Sequence, residues 1–183
     1  MYQNPDIESS YRENDLGKTL YNQVIEYTPK TIVEFGCLYG YSTVAMAMAL
    51  RDLGEGKLYC YDLWEQYEYK HSTMEITIEN VKKYDLLDWI EFKQLSYYDW
   101  LLKPTEFDLL HLDISNTGDT IFDTRLMLND QIAAGKIILF EGGSLERDQI
   151  EWMTKYKALS INSVKGITGY EVINPLFPSI SKL

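Results

Sequence analysis

The sequence predicts an α/β domain, a doubly wound parallel sheet with helices on both faces, and three observations carry that prediction. Apolar runs of five or six residues, TIVEF (Thr31–Phe35), KLYCYD (Lys57–Asp62) and KIILFE (Lys136–Glu141), lack the strict polar alternation of a half-exposed strand. They read as strands buried on both faces. The stretches between the runs carry apolar residues at helical spacing. Strand and helix then alternate along the chain, and a helical crossover brings successive strands together in parallel.

Each element has its own signal. Residues 1–14 are polar and are expected to form a loose arm, with a single domain over 15–183. Leu16, Leu20, Val24 and Tyr27 predict a helix that Pro29 ends. After the Thr31–Phe35 strand, a helix is expected from Ser42 to about Leu53, with Ser42 as N-cap and Gly54 as stop. Lys57–Asp62 is the next strand, and Met74, Ile78 and Val81 mark a helix. Strands are expected at Ile90–Gln94 and Phe107–Asp113, then a helix through Ile121, Leu128 and Ile132 that stops at Gly135. The strand Lys136–Glu141 follows, and Ile150 and Met153 mark a further helix. Two last strands are expected at Ser160–Val164 and Tyr170–Ile173, joined by a turn at Lys165-Gly166.

Composition narrows the function. The 183 residues suit one domain with a full core, and 45% of them are hydrophobic. A net charge of −11 and a pI of about 4.6 argue against a nucleic-acid partner, whose phosphates would meet like charge. No apolar stretch is long enough to span a membrane, and the opening MYQNPDIESSYREND lacks the pattern of a signal peptide. Two cysteines, Cys37 and Cys60, show no metal-type spacing, which suits a reduced, cytoplasmic protein. The final Ser181-Lys182-Leu183 matches a peroxisomal address if the source is eukaryotic. In so short a motif, coincidence is the simpler reading.

The stretch VEFGCLYGYST (Val33–Thr43) carries the chemistry. Gly36 and Gly40 allow a tight turn and close backbone approach to a ligand. The helix that follows aims free N–H groups and a positive dipole end at the same place. Dinucleotides and S-adenosylmethionine both use such a loop. The spacing is not G-x-G-x-x-G, which weakens the dinucleotide reading. Charge points the same way. No Lys or Arg lies between Thr31 and Leu50, while Glu34, Asp62, Asp113 and Glu141 stand near the ends of four strands. That acidic rim serves a pyrophosphate poorly and suits the cationic ammonium and sulfonium of S-adenosylmethionine. The expected cofactor contacts are Glu34, Gly36, Gly40 and Ser42, with Asp62 accepting the ribose hydroxyls and Asp99 beside Tyr98 near the adenine. Trp64 is a candidate cover for the adenine. For any one acid the alternative is a solvated helix cap.

At these residues the chain resembles the class I S-adenosylmethionine-dependent methyltransferases. Within them it is most similar to the small O-methyltransferases of the catechol and caffeoyl-CoA type and the macrocin-type sugar methyltransferases. VEFGCLYGYST resembles the first motif and GKLYCYDLW the second, while FDLLHLDIS (Phe107–Ser115) and AAGKIILFEGG (Ala133–Gly143) resemble the strands carrying catalytic and metal residues. The resemblance implies a Rossmann-like sheet of seven strands, mostly parallel, with an antiparallel last strand. It also implies S-adenosylmethionine as cofactor and a small-molecule acceptor.

Two departures bear on the chemistry. Metal-dependent members have an acid at Asp113 and Asp-Asn or Asp-Asp where this chain has Glu141-Gly142. One ligand is changed and one lost, so a divalent metal is doubtful. The family's Lys or His three residues beyond Asp113 is Asn116, which cannot act as a general base. The candidate catalytic residues are therefore Asp113 and Glu141, with His111, on the same strand face as Asp113, in reserve. A hydrogen-bonded core histidine is the alternative for His111. His71 and the tyrosines from Tyr59 to Tyr69 can form a lid, cover a sheet edge or make a contact in a possible homodimer. Arg147 and Asp148 can line a substrate mouth or start a helix. The expected activity is O-methylation of a small hydroxylated molecule. The alternatives are a non-catalytic protein keeping the fold and cofactor pocket, and a nicotinamide-dependent oxidoreductase.

Overall fold

The computed structural model describes residues 1–68, 72–114, 116–151, 153, 160–163 and 169–183. The elements run α1 (Leu16–Tyr27), β1 (Thr31–Phe35), α2 (Tyr41–Leu53), β2 (Lys57–Asp62), α3 (Met74–Lys82), β3 (Ile90–Gln94), α4 (Tyr97–Leu102), β4 (Leu109–Leu112), α5 (Gly118–Met127), α6 (Asn129–Ala133), β5 (Ile137–Glu141), α7 (Leu145–Asp148), β6 (Glu171–Asn174) and β7 (Ile180–Lys182). The strands form one sheet in the order β3-β2-β1-β4-β5-β7-β6. β1 pairs in parallel with both β2 and β4, β2 with β3, and β4 with β5, while β7 runs antiparallel between β5 and β6. This is the expected seven-stranded, doubly wound sheet.

Each face of the sheet has its own core. On one face α1 and α2 cover Ile32, Leu58, Leu109 and Leu139. The residues Tyr41 to Leu50 of α2 are all buried, since its small side chains let the helix lie close to the sheet. On the other face Phe35, Tyr61, Tyr97, Trp100 and Phe107 form an aromatic cluster that continues through Leu112, Ile121 and Phe140. The order reverses between β1 and β4, so the loops after those strands flank the crevice where ligands of open α/β sheets bind.

Several expectations are revised. The first fourteen residues do not hang loose: Pro5, Ile7 and Tyr11 are buried, the Asp6 amide bonds the Tyr84 hydroxyl at 2.7 Å, and the Tyr41 hydroxyl bonds Asn4 at 2.8 Å. Ser42 is not an N-cap. Gly40 takes that place at φ 91°, and the Ser42 hydroxyl turns inward to Glu34. The single helix expected up to Gly135 is broken at Leu128, whose ψ of 18° is not helical. Thr124 Oγ1 donates to the Thr120 carbonyl at 2.6 Å just before that break, a bond that bends helices.

The strand expected at Ser160–Val164 is a short helical turn at 161–163, and Val164 with the Lys165-Gly166 turn lies outside the described residues. Local capping overrides the β-type pattern. The Asp148 carboxylate accepts from the amides of Ile161 and Asn162 and from the Ser160 hydroxyl. Glu151 and Met153 are helical, but the remainder of the helix expected there falls largely outside the described residues. The antiparallel strand is instead β7, which contains Ser181 and Lys182. Ser181 is fully buried and bonds the Gly142 carbonyl at 2.7 Å, so Ser181 and Lys182 are part of the sheet. No helix among the described residues is long and apolar enough to cross a membrane.

Candidate functional site

The loop between β1 and α2 is shaped by two glycines. Gly36 has a φ of 88°, and a Cβ built there would lie 1.7 Å from the Asp113 carbonyl oxygen. Only glycine lets the end of β1 come so close to the end of β4. Gly40 starts α2 without a side-chain cap, leaving the first helical amides open to a ligand.

Glu34 lies behind this loop and lines neither of the cavities described below. It is fully buried. Its carboxylate accepts from Ser42 Oγ at 2.6 Å, Thr43 Oγ1 at 2.5 Å and Cys60 Sγ at 3.3 Å, and lies 3.1 Å from His111 Nδ1. Burial alone would raise its pKa. The hydrogen bond and electrostatics of His111, with the Ser42 and Thr43 hydroxyls, hold it below the usual value instead. Glu34 therefore ties β1, β2, β4 and α2 together and fixes the loop from behind.

In front of the loop is a cavity of about 450 Å3 lined by Gly36, Leu38, Ser42, Asp62, Tyr67, Ser96, Tyr97, Tyr98 and Asp113, among others. That size lies in the ~300–1,000 Å3 range of small-molecule pockets. Asp62 ends β2 at its wall. One oxygen accepts from the Leu38 amide and the other from the Trp64 amide, each at 3.0 Å. A carboxylate oxygen can accept twice, so both retain capacity for ligand hydroxyls. Tyr97 is buried with its hydroxyl 2.6 Å from Thr124, and Tyr98 is exposed beside it. Asp99 points to solvent on α4 and is not among the lining residues. Trp64 is also absent from the lining; its indole N–H bonds Thr77 Oγ1 at 3.0 Å. Of the expected cofactor contacts, the cavity wall brings together Gly36, Ser42 and Asp62. His71 lies outside the described residues.

A second cavity of about 300 Å3 adjoins the first, sharing Ser10, Asp113 and Ile114 with it and adding Glu141, Arg147, Ile150, Phe177 and Pro178. Asp113 and Glu141 thus face one cleft. Burial, and after it the charge of Glu141, pushes the Asp113 carboxyl well above the usual carboxylate range. Burial also raises Glu141, against the opposing pull of Arg147. Arg147 Nε donates to one Glu141 oxygen at 2.7 Å and Nη2 to the other at 3.0 Å, and Nη2 also reaches the Asn116 carbonyl at 3.1 Å. His111 stands behind this wall with Nδ1 on Glu34, and its Nε2 has no hydrogen-bond partner among the described residues. Asn116 is a fastener: its amide donates to the carbonyls of Leu112 and Glu141, both at 2.9 Å, joining the ends of β4 and β5.

These residues do not fit a divalent metal. Both Glu141 oxygens are taken by Arg147, and Gly142 offers no side chain, which leaves Asp113 alone where a hard cation needs several oxygens. The buried group Glu34, Cys37 and Cys60 brings three donor atoms within 4.8 Å. It does not fit either, because Glu34 is consumed by hydrogen bonds and burial raises both thiols, Cys60 to about 11.

Sequence reasoning missed the part played by Ser10 and its neighbours. Ser9, Ser10 and Glu8 line the first cavity, and Ser10 stands between the two. Nothing in the polar run ESSYREND signals it. The Glu141–Arg147 pair carries a faint signal, opposite charges six residues apart around the Gly142-Gly143 turn.

No curated protein matches this sequence. Solved structures do. A SAH-bound methyltransferase from Podospora anserina superposes with a TM-score of 0.65 at 21% identity over 96% of this chain and 78% of its own. A methyltransferase from Geobacter sulfurreducens gives 0.62 at 14% identity over 94% and 82%. An O-methyltransferase from Bacillus cereus in complex with SAH gives 0.60 at 16% identity over 98% and 83%. At these identities the structures establish a shared fold. The family model described as a methyltransferase domain matches residues 33–141, from the glycine loop to the acid that ends β5, and the chain belongs to that family.

Proposed function

We propose that this protein transfers a methyl group from S-adenosylmethionine to a hydroxyl oxygen of a small acceptor. One observation carries the reading: two adjoining cavities meet at Asp113, one under the glycine loop and Asp62, the other walled by Glu141 and Arg147. Structural neighbours bound to SAH, one of them an O-methyltransferase, support it.

S-adenosylmethionine supplies an electrophilic methyl group on a cationic sulfur. The protein's residues bind and orient. Asp62 accepts ribose hydroxyls, the open amides at the start of α2 receive the amino-acid carboxylate, and the aromatic wall at Tyr97 and Tyr98 flanks the adenine. Asp113, at the junction of the two cavities, is the carboxylate placed to accept the acceptor's proton. Glu141 orients Arg147, and His111 keeps Glu34 and the loop in place. The remaining contribution is geometric, holding the acceptor oxygen in line with the methyl group. Two buried, unpaired cysteines suit a reducing compartment such as the cytoplasm.

The test is incubation with methyl-labelled cofactor and pooled phenols, sugars and other small alcohols, followed by mass spectrometry. A labelled methyl ether supports the reading. Cofactor binding with no product from any hydroxylated class would favour the non-catalytic alternative.

A further inference from the structure

We infer that Tyr11 is a positioning residue of the methyl-transfer site: its buried hydroxyl donates to the Asp113 carboxylate from behind and leaves that carboxylate's other oxygen facing the cleft. The consequence for turnover rests on the methyl-transfer reading, and the residue comes from the N-terminal segment, outside the elements that carry the rest of the site.

The sheet sets the placement. His111 stands in register with Glu34 on one side and Leu139 on the other. The Asp113 amide bonds the Phe35 carbonyl at 2.8 Å, so the pairing of β4 with β1 continues past Leu112. Alternation carries Asp113 and Glu141 to the same face as Glu34 and His111. Tyr11 packs on that face. Its ring meets His111 edge-on, with centroids 6.3 Å apart at 65°, and Tyr41 at 6.4 Å and 89°. Its backbone is tied on both sides: the Tyr11 amide donates to Ser9 Oγ at 3.1 Å, and its carbonyl accepts from the Leu16 amide at 3.0 Å, at the start of α1. The adjacent Ser10 lines both cavities.

The hydroxyl itself supplies the chemistry. Tyr11 is 1% exposed, and its hydroxyl has no hydrogen-bond partner among the described residues. A buried hydroxyl left alone is costly, so a residue placed this way is expected to serve an acceptor. Burial, and then the charge of Asp113 ahead of those of Glu141 and Glu34, pushes the hydroxyl well above the usual phenol range, so it keeps its proton and remains a donor. Two of those three acids are already engaged. Glu141 holds Arg147 with both oxygens, and Glu34 meets Ser42, Thr43, Cys60 and His111. Asp113 is left as the acceptor for Tyr11.

Donation from this side suits what Asp113 does. Burial and the charge of Glu141 favour the protonated carboxyl, and the Tyr11 hydroxyl pulls the other way, toward the charged form that can take a proton. Asp113 lines both cavities. A carboxylate held through one oxygen by Tyr11 presents the second where the cavities meet, in one orientation.

The experiment uses protein whose tyrosines carry 13C at Cζ, a carbon whose NMR shift follows hydrogen bonding of the hydroxyl. Tyr11→Phe removes one of the fifteen tyrosine resonances and so assigns Tyr11. In folded Asp113→Asn that resonance should move, because an amide oxygen accepts more weakly than a carboxylate. With methyl-labelled S-adenosylmethionine and pooled small hydroxylated acceptors, Tyr11→Phe should lose turnover by at least about tenfold, the scale of a hydrogen bond to a charged group, while binding S-adenosylhomocysteine within about twofold of the parent. A Tyr11 resonance that ignores Asp113→Asn, or a Tyr11→Phe protein that turns over like the parent, overturns the proposal. Should Tyr11→Phe not fold, the labelled Asp113→Asn protein decides: a displaced tyrosine resonance supports the contact, and none overturns it. A parent that makes no product fails the methyl-transfer reading, and the resonance then decides the Tyr11 contact alone.

Discussion

Glu141 and Arg147 form a two-point ion pair, 2.7 and 3.0 Å, at the carboxyl end of β5, with both side chains almost entirely buried. Such a pair is costly to break from one side, because the partner is left as an uncompensated buried charge. Arg147→Ala should therefore lower unfolding stability by about 3–5 kcal/mol. Glu141→Gln, which keeps a hydrogen-bond acceptor, should cost less. Denaturant titrations of the two variants check the order, and equal losses would contradict it.

Asp62 has two duties. It accepts the Leu38 and Trp64 amides and faces the first cavity. Asp62→Ala should weaken S-adenosylmethionine binding by about 1–3 kcal/mol, the usual effect of deleting a hydrogen-bonding charge. Affinity equal to the parent's in a folded variant would remove Asp62 from the site.

Gly36 tolerates no side chain. A Cβ would meet the Asp113 backbone oxygen, which has no flexible end to move aside, at a φ that L residues rarely adopt. Gly36→Ala should cost more than about 2 kcal/mol of stability and shift the end of β4, with at least tenfold loss of cofactor affinity. Thermal unfolding and a binding titration on one sample test both effects.

The buried acids make opposite demands on pH. Burial and the charge of Glu141 raise Asp113, and burial raises Glu141. A carboxyl raised on folding contributes stability below its unfolded value and loses it as pH climbs through the folded value. Glu34 is lowered, so its contribution disappears only as pH falls below the ordinary glutamate range. Asp113→Asn should accordingly be more stable than the parent at pH 8, read as a higher Tm, with the gap closing as pH falls toward 5. The same variant should lose turnover. A stability gap that does not change with pH would show that Asp113 is not strained by ionisation.

Much of the fold was legible because its central strands are short and apolar, while the edge strand β3 alternates in burial. TIVEF, KLYCYD and IEFKQ give their strands to the residue. The end of the chain was not. The Ser160 segment reads as a strand from sequence, and capping by Asp148, twelve residues away, makes it helical. β7 was missed because three residues beside Pro178 resemble a tail until β5 supplies hydrogen bonds. At the site, local chemistry in the sequence points to Gly36, Ser42 and Asp62, and these three line the first cavity. It could not show that Glu34 faces inward, because an acid at a strand end looks the same whether it meets a ligand or the Ser42 and Thr43 hydroxyls. The lining of the cleft by Ser9 and Ser10 is a long-range packing outcome with no local pattern.

Titration calorimetry is the direct test of an S-adenosyl ligand in the glycine-loop cavity. Saturable one-to-one binding of S-adenosylmethionine and S-adenosylhomocysteine is expected, unchanged by a chelator, with no heat from NAD. Saturable NAD binding, or no binding of either S-adenosyl compound by folded protein, would contradict it.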